Sequence, residues 1–250
     1  MKRHYMELWL LLATAFAVFA LLSVSDLPLK KVSFARVYKP QAAVIQPEYE
    51  TEILETTPEP CDTTAQTILL FGDSMLEGLG PRLAAYAKQN GHELYSVIWY
   101  SSTSEIWGNS DKLSRYIEQL APTYIFICLG ANELFVRNIA ERRKHIDSIL
   151  AQIGDIPYLW IGPPNWADDT GINDLIAGTT RPGSYFKSKG MAFERSADGA
   201  HPTLASASQW VDSVVRWMPA NARHRIRLDV PEMHSSRPTR TFVHKPSERI

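Results

Sequence analysis

The chain has 250 residues, a length that fits one α/β domain or two smaller domains. Hydrophobic residues make up 45 % and charged ones 21 %, which excludes a fully disordered chain, a collagen-like one and a multi-span membrane protein. With 26 basic against 27 acidic residues there is no whole-protein basic field to hold nucleic acid, and 2 cysteines make neither a disulfide scaffold nor a four-thiolate zinc site.

Residues 1–31 stand apart. Lys2, Arg3 and His4 precede an apolar run from Leu8 to Val24, and Lys30 and Lys31 follow it. The run has no polar face, which argues against a buried core helix, and its length is at the lower limit for a membrane-crossing helix. It reads as a retained signal anchor, or as a signal peptide cut after Ser25 in the small-x-small pattern of Ser23 and Ser25. A basic start leading straight into an apolar run predicts export. The body is then expected outside the cytoplasm, in a periplasmic or other extracytoplasmic space, held to the membrane by the N-terminal helix. Lys30, Lys31, Arg36 and Lys39 after the run point the other way under the positive-inside rule.

Residues 32–64 carry Pro40, Pro47, Pro58 and Pro60 and an acidic patch at Glu48, Glu50, Glu52 and Glu55, with no apolar period, and read as a linker. The body, residues 65–218, alternates strand and helix. Thr67–Phe71 is an apolar strand ending at Gly72, and Leu76–Gln89 places Leu76, Leu79, Leu83, Ala84 and Ala87 on one helix face. Leu94–Tyr100 is a second strand, Asp111–Leu120 a helix, and Tyr124–Leu129 a third strand ending at Gly130. A helix over Ile139–Ile153 and a strand over Tyr158–Ile161 follow. Next come a short helix near Ser184–Lys189, an extended piece at Met191–Phe193 and a last helix over Leu204–Met218. Strands alternating with helices of this length predict a parallel sheet covered on both faces. Residues 219–250 hold seven Arg and Lys against three acidic residues and are broken by Pro231, Pro238 and Pro246. They are expected to be a solvated, disordered basic tail; the functional alternative is contact with anionic envelope polymer or lipid headgroups.

In open parallel sheets ligands bind beyond the carboxyl ends of the strands, and three polar clusters fall there. Gly72-Asp-Ser-Met75 puts a hydroxyl and an unpaired N–H at a helix start, although Asp or Ser there also serves as a plain helix cap. Gly130-Ala-Asn-Glu133 offers Asn132, whose amide N–H groups suit a developing oxyanion; a polar turn is the bland reading. Asp198-Gly-Ala-His201-Pro202 places a carboxylate where it can orient an imidazole, or simply makes a helix-entry turn. Together the clusters supply nucleophile, donor, base and orienter for Ser–His–Asp chemistry, with His201 accepting the proton of Ser74.

These blocks resemble those of the SGNH/GDSL hydrolase superfamily of esterases and lipases. Phe71-Gly-Asp-Ser-Met75 matches its first block, Gly130-Ala-Asn-Glu133 its third, with Glu133 where Asp is usual, and Asp198-Gly-Ala-His201-Pro202 its last. The resemblance implies a three-layer α/β/α, flavodoxin-like fold with Ser74 as nucleophile, His201 as base and Asp198 as orienter. It also implies an oxyanion hole from the Ser74 N–H, a second-block backbone N–H and the Asn132 side chain, with no metal or other cofactor. The family's second block supplies a glycine after strand two. Here the stretch is Tyr100-Ser-Ser-Thr-Ser104, and Ser102 is placed at the glycine position.

Trp99, Tyr100, Trp107 and Trp166 lie near the blocks and offer either an aromatic platform or core packing. Pro163-Pro164-Asn165 is expected to shape the cleft wall, and Cys128 to be an inert buried thiol with a disulfide to Cys61 left open. His224, His234 and His244 fit no zinc-site spacing. The expected partner is an ester, an acetylated glycan of the cell envelope or another source, cleaved by hydrolysis. An acyltransferase on the same triad and a non-catalytic envelope-binding domain are the alternatives.

Overall fold

The computed structural model describes residues 60–248. The N-terminal apolar segment and all but the last five residues of the linker lie outside them. Six strands form one parallel sheet: β1 Thr67–Gly72, β2 Glu93–Trp99, β3 Tyr124–Cys128, β4 Tyr158–Ile161, β5 Tyr185–Phe186 and β6 Arg240–His244. Their order is β5-β4-β3-β1-β2-β6. The helices are α1 Leu76–Gln89, α2 Ser104–Gly108, α3 Lys112–Leu120, α4 Arg143–Ile153, α5 Ile172–Thr179 and α6 Leu204–Asn221.

Alternation along β1 explains the layers. Ile68 and Leu70 face one side, where they join Leu76, Leu79 and Leu83 of α1 and Trp210, Val211 and Val214 of α6. Leu69 and Phe71 face the other, where they join Trp107 of α2, Leu113 of α3, Ile146 and Ile149 of α4, and Ile172 and Ile176 of α5. A strand buried on both faces has no polar side to alternate, so it reads as a continuous apolar run. The result is the three-layer α/β/α sandwich expected from the sequence. α1 is tied to α6 by Arg82, whose Nε donates to Asp212 at 2.7 Å, and by the Tyr86 hydroxyl on the same carboxylate at 2.9 Å.

Between β4 and α6 the structure differs from the sequence expectation. No helix forms at Ser184–Lys189; the helix is α5, Ile172–Thr179, which ends before that stretch begins, and Tyr185–Phe186 is the fifth strand. α5 starts where Asp169 Oδ1 accepts from the Gly171 and Ile172 N–H groups, both at 2.8 Å. With only Ile172, Asn173 and Ile176 buried, its apolar face is too short to register as periodicity. β5 is two residues long and exists only through pairing with β4, which no local pattern announces.

The tail is the larger correction. Residues 219–248 are not a disordered appendage: α6 runs through Pro219 to Asn221, and Ala222 and Ile226 are buried in the α1–α6 core. Asp62, at the end of the linker, bridges Ile226 through main-chain bonds to Arg225 and Arg227. Asn90 then holds Asp229 by two bonds, Arg82 holds the Met233 and His234 carbonyls, and Ser236 donates to the Pro81 carbonyl. Residues 240–244 finally become β6, in parallel register with β2 from Tyr95–Arg240 to Trp99–His244. Polar main-chain contacts rather than an apolar face hold this segment, so its Arg- and Pro-rich composition misread it as unfolded. Cys61 and Cys128 are both free thiols, one exposed and the other buried at the end of β3. Among the described residues, no helix is long and apolar enough to cross a membrane.

At the carboxyl ends of β1 and β3 the backbones nearly touch. A Cβ on Gly72 would lie 1.8 Å from the Cys128 carbonyl oxygen. Gly72→Ala is therefore expected to destabilise the domain by about 3 kcal/mol or more, read as a lowered urea midpoint, because the obstacle is backbone and cannot rotate away.

Candidate active site

Asp73, Ser74 and Met75 form the turn between β1 and α1. The Asp73 N–H donates to the Cys128 carbonyl at 3.2 Å, and the Leu76 N–H closes on the Asp73 carbonyl at 3.3 Å. Ser74 is left half-buried at the helix mouth. Among the described residues its own N–H has no acceptor, so it is a donor at the positive end of α1.

His201 and Asp198 come from a hairpin between β5 and α6. Arg195 and Pro202 form an antiparallel bridge, the Ser196 N–H donates to the His201 carbonyl at 2.8 Å, and Gly199 turns the chain at φ 71°. A left-handed φ of this kind favours glycine, which places the two functional side chains on the same hairpin tip. His201 Nε2 lies 2.7 Å from Ser74 Oγ, and His201 Nδ1 lies 2.7 Å from Asp198 Oδ2. With the Nδ1 proton donated to the carboxylate, Nε2 is the acceptor for the serine hydroxyl. Asp198 Oδ1 also accepts from the His201 and Ala200 N–H groups at 3.0 and 2.9 Å. Those two N–H donors, ahead of the imidazole, hold the Asp198 carboxyl down at about 2. The aspartate therefore stays charged and holds the ring through its Nδ1–H. The site is open: the His201 and Asp198 side chains are 35 % and 51 % exposed.

Asn132 stands on a short 3₁₀ turn, Ala131–Glu133, just beyond β3. One N–H of its amide donates to the Ser102 carbonyl at 2.9 Å, and an amide carries a second. Ser74, His201, Asp198 and Asn132 thus meet at one sheet edge, as the blocks require. Ser102 does not fill the place given to it. Its N–H is spent on the Trp99 carbonyl at 3.1 Å in a tight turn, and its buried hydroxyl lies between the Gly72 carbonyl at 3.4 Å and the Trp107 indole N–H at 3.0 Å. The left-handed residue of that turn is Ser101, at φ 54°. It is the residue whose backbone has the shape a glycine adopts readily, one position earlier than the sequence spacing suggested.

Two buried carboxyls lie beneath the site. Asp73 is wholly buried, and its Oδ1 accepts from the Met75 N–H at 3.0 Å. Burial, only partly offset by that bond and by the Ala131 N–H, pushes its carboxyl up to about 7. Glu133 is equally buried but better served. It accepts from the Ser104 N–H at 2.8 Å and the Ser104 hydroxyl at 2.7 Å, and pairs with Arg142 at 3.2 Å. Burial still raises its carboxyl above the usual range. Glu133 ties the Asn132 turn to α2, a role invisible in the sequence because Ser104 and Arg142 are distant from it along the chain.

Of the aromatic residues, Trp99 and Trp107 are fully buried and pack edge-on at 5.3 Å, so they are core. Tyr100 is half-buried, and its hydroxyl meets the Glu77 carboxylate in the first turn of α1. Trp166 is at the rim, its indole N–H on the Ala131 carbonyl at 2.9 Å, and packs edge-on against Phe135 at 5.8 Å. Phe135, three residues after Asn132, is 58 % exposed, and the sequence reading had passed over it. Arg195, which also carries no motif in the sequence, spans from the Ala200 carbonyl to the Asn165 carbonyl and ties the Asp198–His201 hairpin to the loop after β4. Among the described residues, no three His, Cys, Asp or Glu side chains are grouped to hold a metal ion.

The β5-β4-β3-β1-β2-β6 order and the gathering of the blocks at one edge of a parallel sheet agree with the three-layer arrangement that the sequence resemblance implies. Among solved structures the chain is similar to one described as a lipolytic protein of the G-D-S-L family from Desulfitobacterium hafniense DCB-2. The identity is 13 % and the TM-score 0.40, over 60 % of this chain and 98 % of that one. It is also similar to a gut microbial diltiazem-metabolizing enzyme, at 8 % identity and a TM-score of 0.31, over 66 % of this chain and 35 % of that one. No family model and no curated protein matches the chain.

The raised Asp73 carboxyl makes a signed prediction. Its proton is held more tightly in the folded state than in the unfolded, so its stabilising contribution is complete below pH 4 and is lost as pH rises toward 7. Asp73→Asn, which keeps an oxygen for the Met75 N–H, is expected to gain on the wild type by a few kcal/mol between pH 4 and pH 8. Urea melts of both proteins at the two pH values measure the difference.

Proposed function

We propose that the domain is a serine hydrolase that cleaves an O-acyl ester. The observation that carries this reading is the unbroken relay from Ser74 through His201 to Asp198, with 2.7 Å at each step, beside an N–H that no described group uses. In this scheme Ser74 Oγ attacks the ester carbonyl as its proton passes to His201 Nε2. The tetrahedral oxyanion is met by the Ser74 N–H and the Asn132 amide. Collapse of the intermediate breaks the bond to the alcohol, which leaves with the proton from His201. Water then repeats the sequence on the acyl-serine and releases the acid.

The substrate we assign is a small acyl ester, acetyl foremost, on a glycan of the cell envelope or another source. Exposure of the hairpin suits an ester carried on a bulky chain, which must reach the serine without entering a tunnel. Phe135 and Trp166 offer an aromatic rim for a sugar ring beside Asn132. The same groups would serve an acyltransferase, but a half-exposed imidazole has water at hand, which favours hydrolysis. Export and membrane attachment through Leu8–Val24 belong to the proposal and rest on the sequence. A purely binding role fits poorly with an aligned Ser–His–Asp relay, which a binding surface does not need.

Ser74→Ala is expected to abolish p-nitrophenyl acetate turnover, and full activity in that variant would overturn the reading. Asn132→Ala should lower kcat by about 10²–10³, the usual loss for one oxyanion donor, with KM little changed. Phe135→Ala is expected to raise KM for an acetylated pyranose while leaving ethyl acetate unaffected, measured as acetate released.

A further inference from the structure

The turn from Trp99 to Ser102 lies against the proposed site and is gripped from three sides. From the first block, the Gly72 carbonyl accepts from the Ser102 hydroxyl, and Glu77 takes the Tyr100 hydroxyl. From the third block, the Asn132 amide donates to the Ser102 carbonyl. The third grip comes from none of the family blocks. The Tyr100 N–H donates to the His244 carbonyl at 3.0 Å, and the Trp99 indole N–H donates to the Lys245 carbonyl at 3.2 Å. Both acceptors sit at the end of β6, some forty residues beyond His201.

β6 is an edge strand, held to the sheet by its parallel ladder with β2. Only Phe242 and His244 among its five residues are half-buried; the others are exposed. Phe242 packs on Tyr116 of α3 at 4.9 Å, and the Tyr116 hydroxyl meets His244 Nε2 at 2.8 Å. The His244 ring also leans on Trp99 at 5.6 Å. Thr239, just before the strand, adds its N–H and hydroxyl on the Leu94 carbonyl and N–H. None of these contacts involves Ser74, His201, Asp198 or Asn132.

We propose that the C-terminal strand is a positioning element for the site: by holding the Tyr100 N–H and the Trp99 indole, it fixes the turn that carries the Asn132-bonded Ser102 carbonyl and flanks the serine. It touches no reacting atom. It acts through Asn132, whose amide can face an oxyanion only while the Ser102 carbonyl stays where its other N–H needs it. Such preorganised donors weigh on kcat far more than on ground-state binding. A strand at a sheet edge, added last in the chain and joined through a segment with its own anchors on α1, can leave without dismantling the other five.

The inference rests on the hydrolase reading for its kinetic arm but not for its structural one. The test is the chain ended after Pro238, compared with the full chain by p-nitrophenyl acetate kinetics and by hydrogen exchange over residues 99–104. Faster exchange there is expected, with a kcat fall of at least about tenfold and a KM change within about threefold. A synthetic peptide of residues 237–250 should restore both when added in trans, and the same peptide carrying Phe242→Pro should not. A folded truncated chain with unchanged kcat or unchanged exchange overturns the inference. If truncation prevents folding, full-length Tyr116→Phe decides: it removes one hold on His244 without a cavity and should lower kcat about two- to fivefold at constant KM. No change in its kcat and exchange overturns the proposal. A full-length wild type that turns over no ester fails the hydrolase reading, and the exchange measurements then judge the positioning role alone.

Discussion

The close approach of β1 and β3 at their carboxyl ends governs the whole site. Only a residue without a side chain lets the Gly72 backbone lie against the Cys128 carbonyl, and the Asp73 N–H closes the contact. Ser74 then emerges on one side, two residues past β1, and Asn132 on the other, four residues past β3. Parallel strands in fixed register turn a sequence separation of nearly sixty residues into neighbouring turns. What remains is to bring an imidazole over the serine. The hairpin at Arg195–Pro202 does this, held by its own backbone bonds and by Arg195 across to the loop after β4.

Charge is managed differently at the two depths of the site. Near the surface, Asp198 is kept ionised by backbone donors from its own turn, so its role does not depend on burial. Below, Asp73 and Glu133 are sealed from water. Glu133 has the Ser104 hydroxyl and N–H and the Arg142 guanidinium to hold its charge, whereas Asp73 has main-chain donors alone. That inequality explains why burial drives Asp73 further from its ordinary value.

Much of this was legible in the sequence, and the reasons for the rest are specific. The runs at Thr67–Phe71 and Tyr124–Leu129 read clearly as strands because burial on both faces leaves no polar residue in them. Ser74, Asn132, Asp198 and His201 were found because the chemistry needs those residue types at strand ends, and the structure brings all four together. Ser102 failed because a spacing of one residue decides which member of a turn is left-handed, and three of the five residues Tyr100–Ser104 are serine. β5, α5 and the tail were missed for a common reason. β5 and the tail are placed by partners elsewhere in the chain, β4 and the exposed edge of β2, and α5 buries only Ile172, Asn173 and Ile176, so none of these segments carries a readable period. The Phe135–Trp166 rim is a contact between two loops and is visible only once both are in place.

The account stands on an activated Ser74, and covalent capture tests that most directly. The full chain would be treated with a fluorophosphonate, and the adduct located by peptide mass mapping beside a His201→Ala control. We predict a single adduct on Ser74 in the wild type, formed in proportion to loss of p-nitrophenyl acetate turnover and absent from the control. A folded wild type that remains unlabelled, or one labelled at another residue, would contradict the relay on which the functional reading depends.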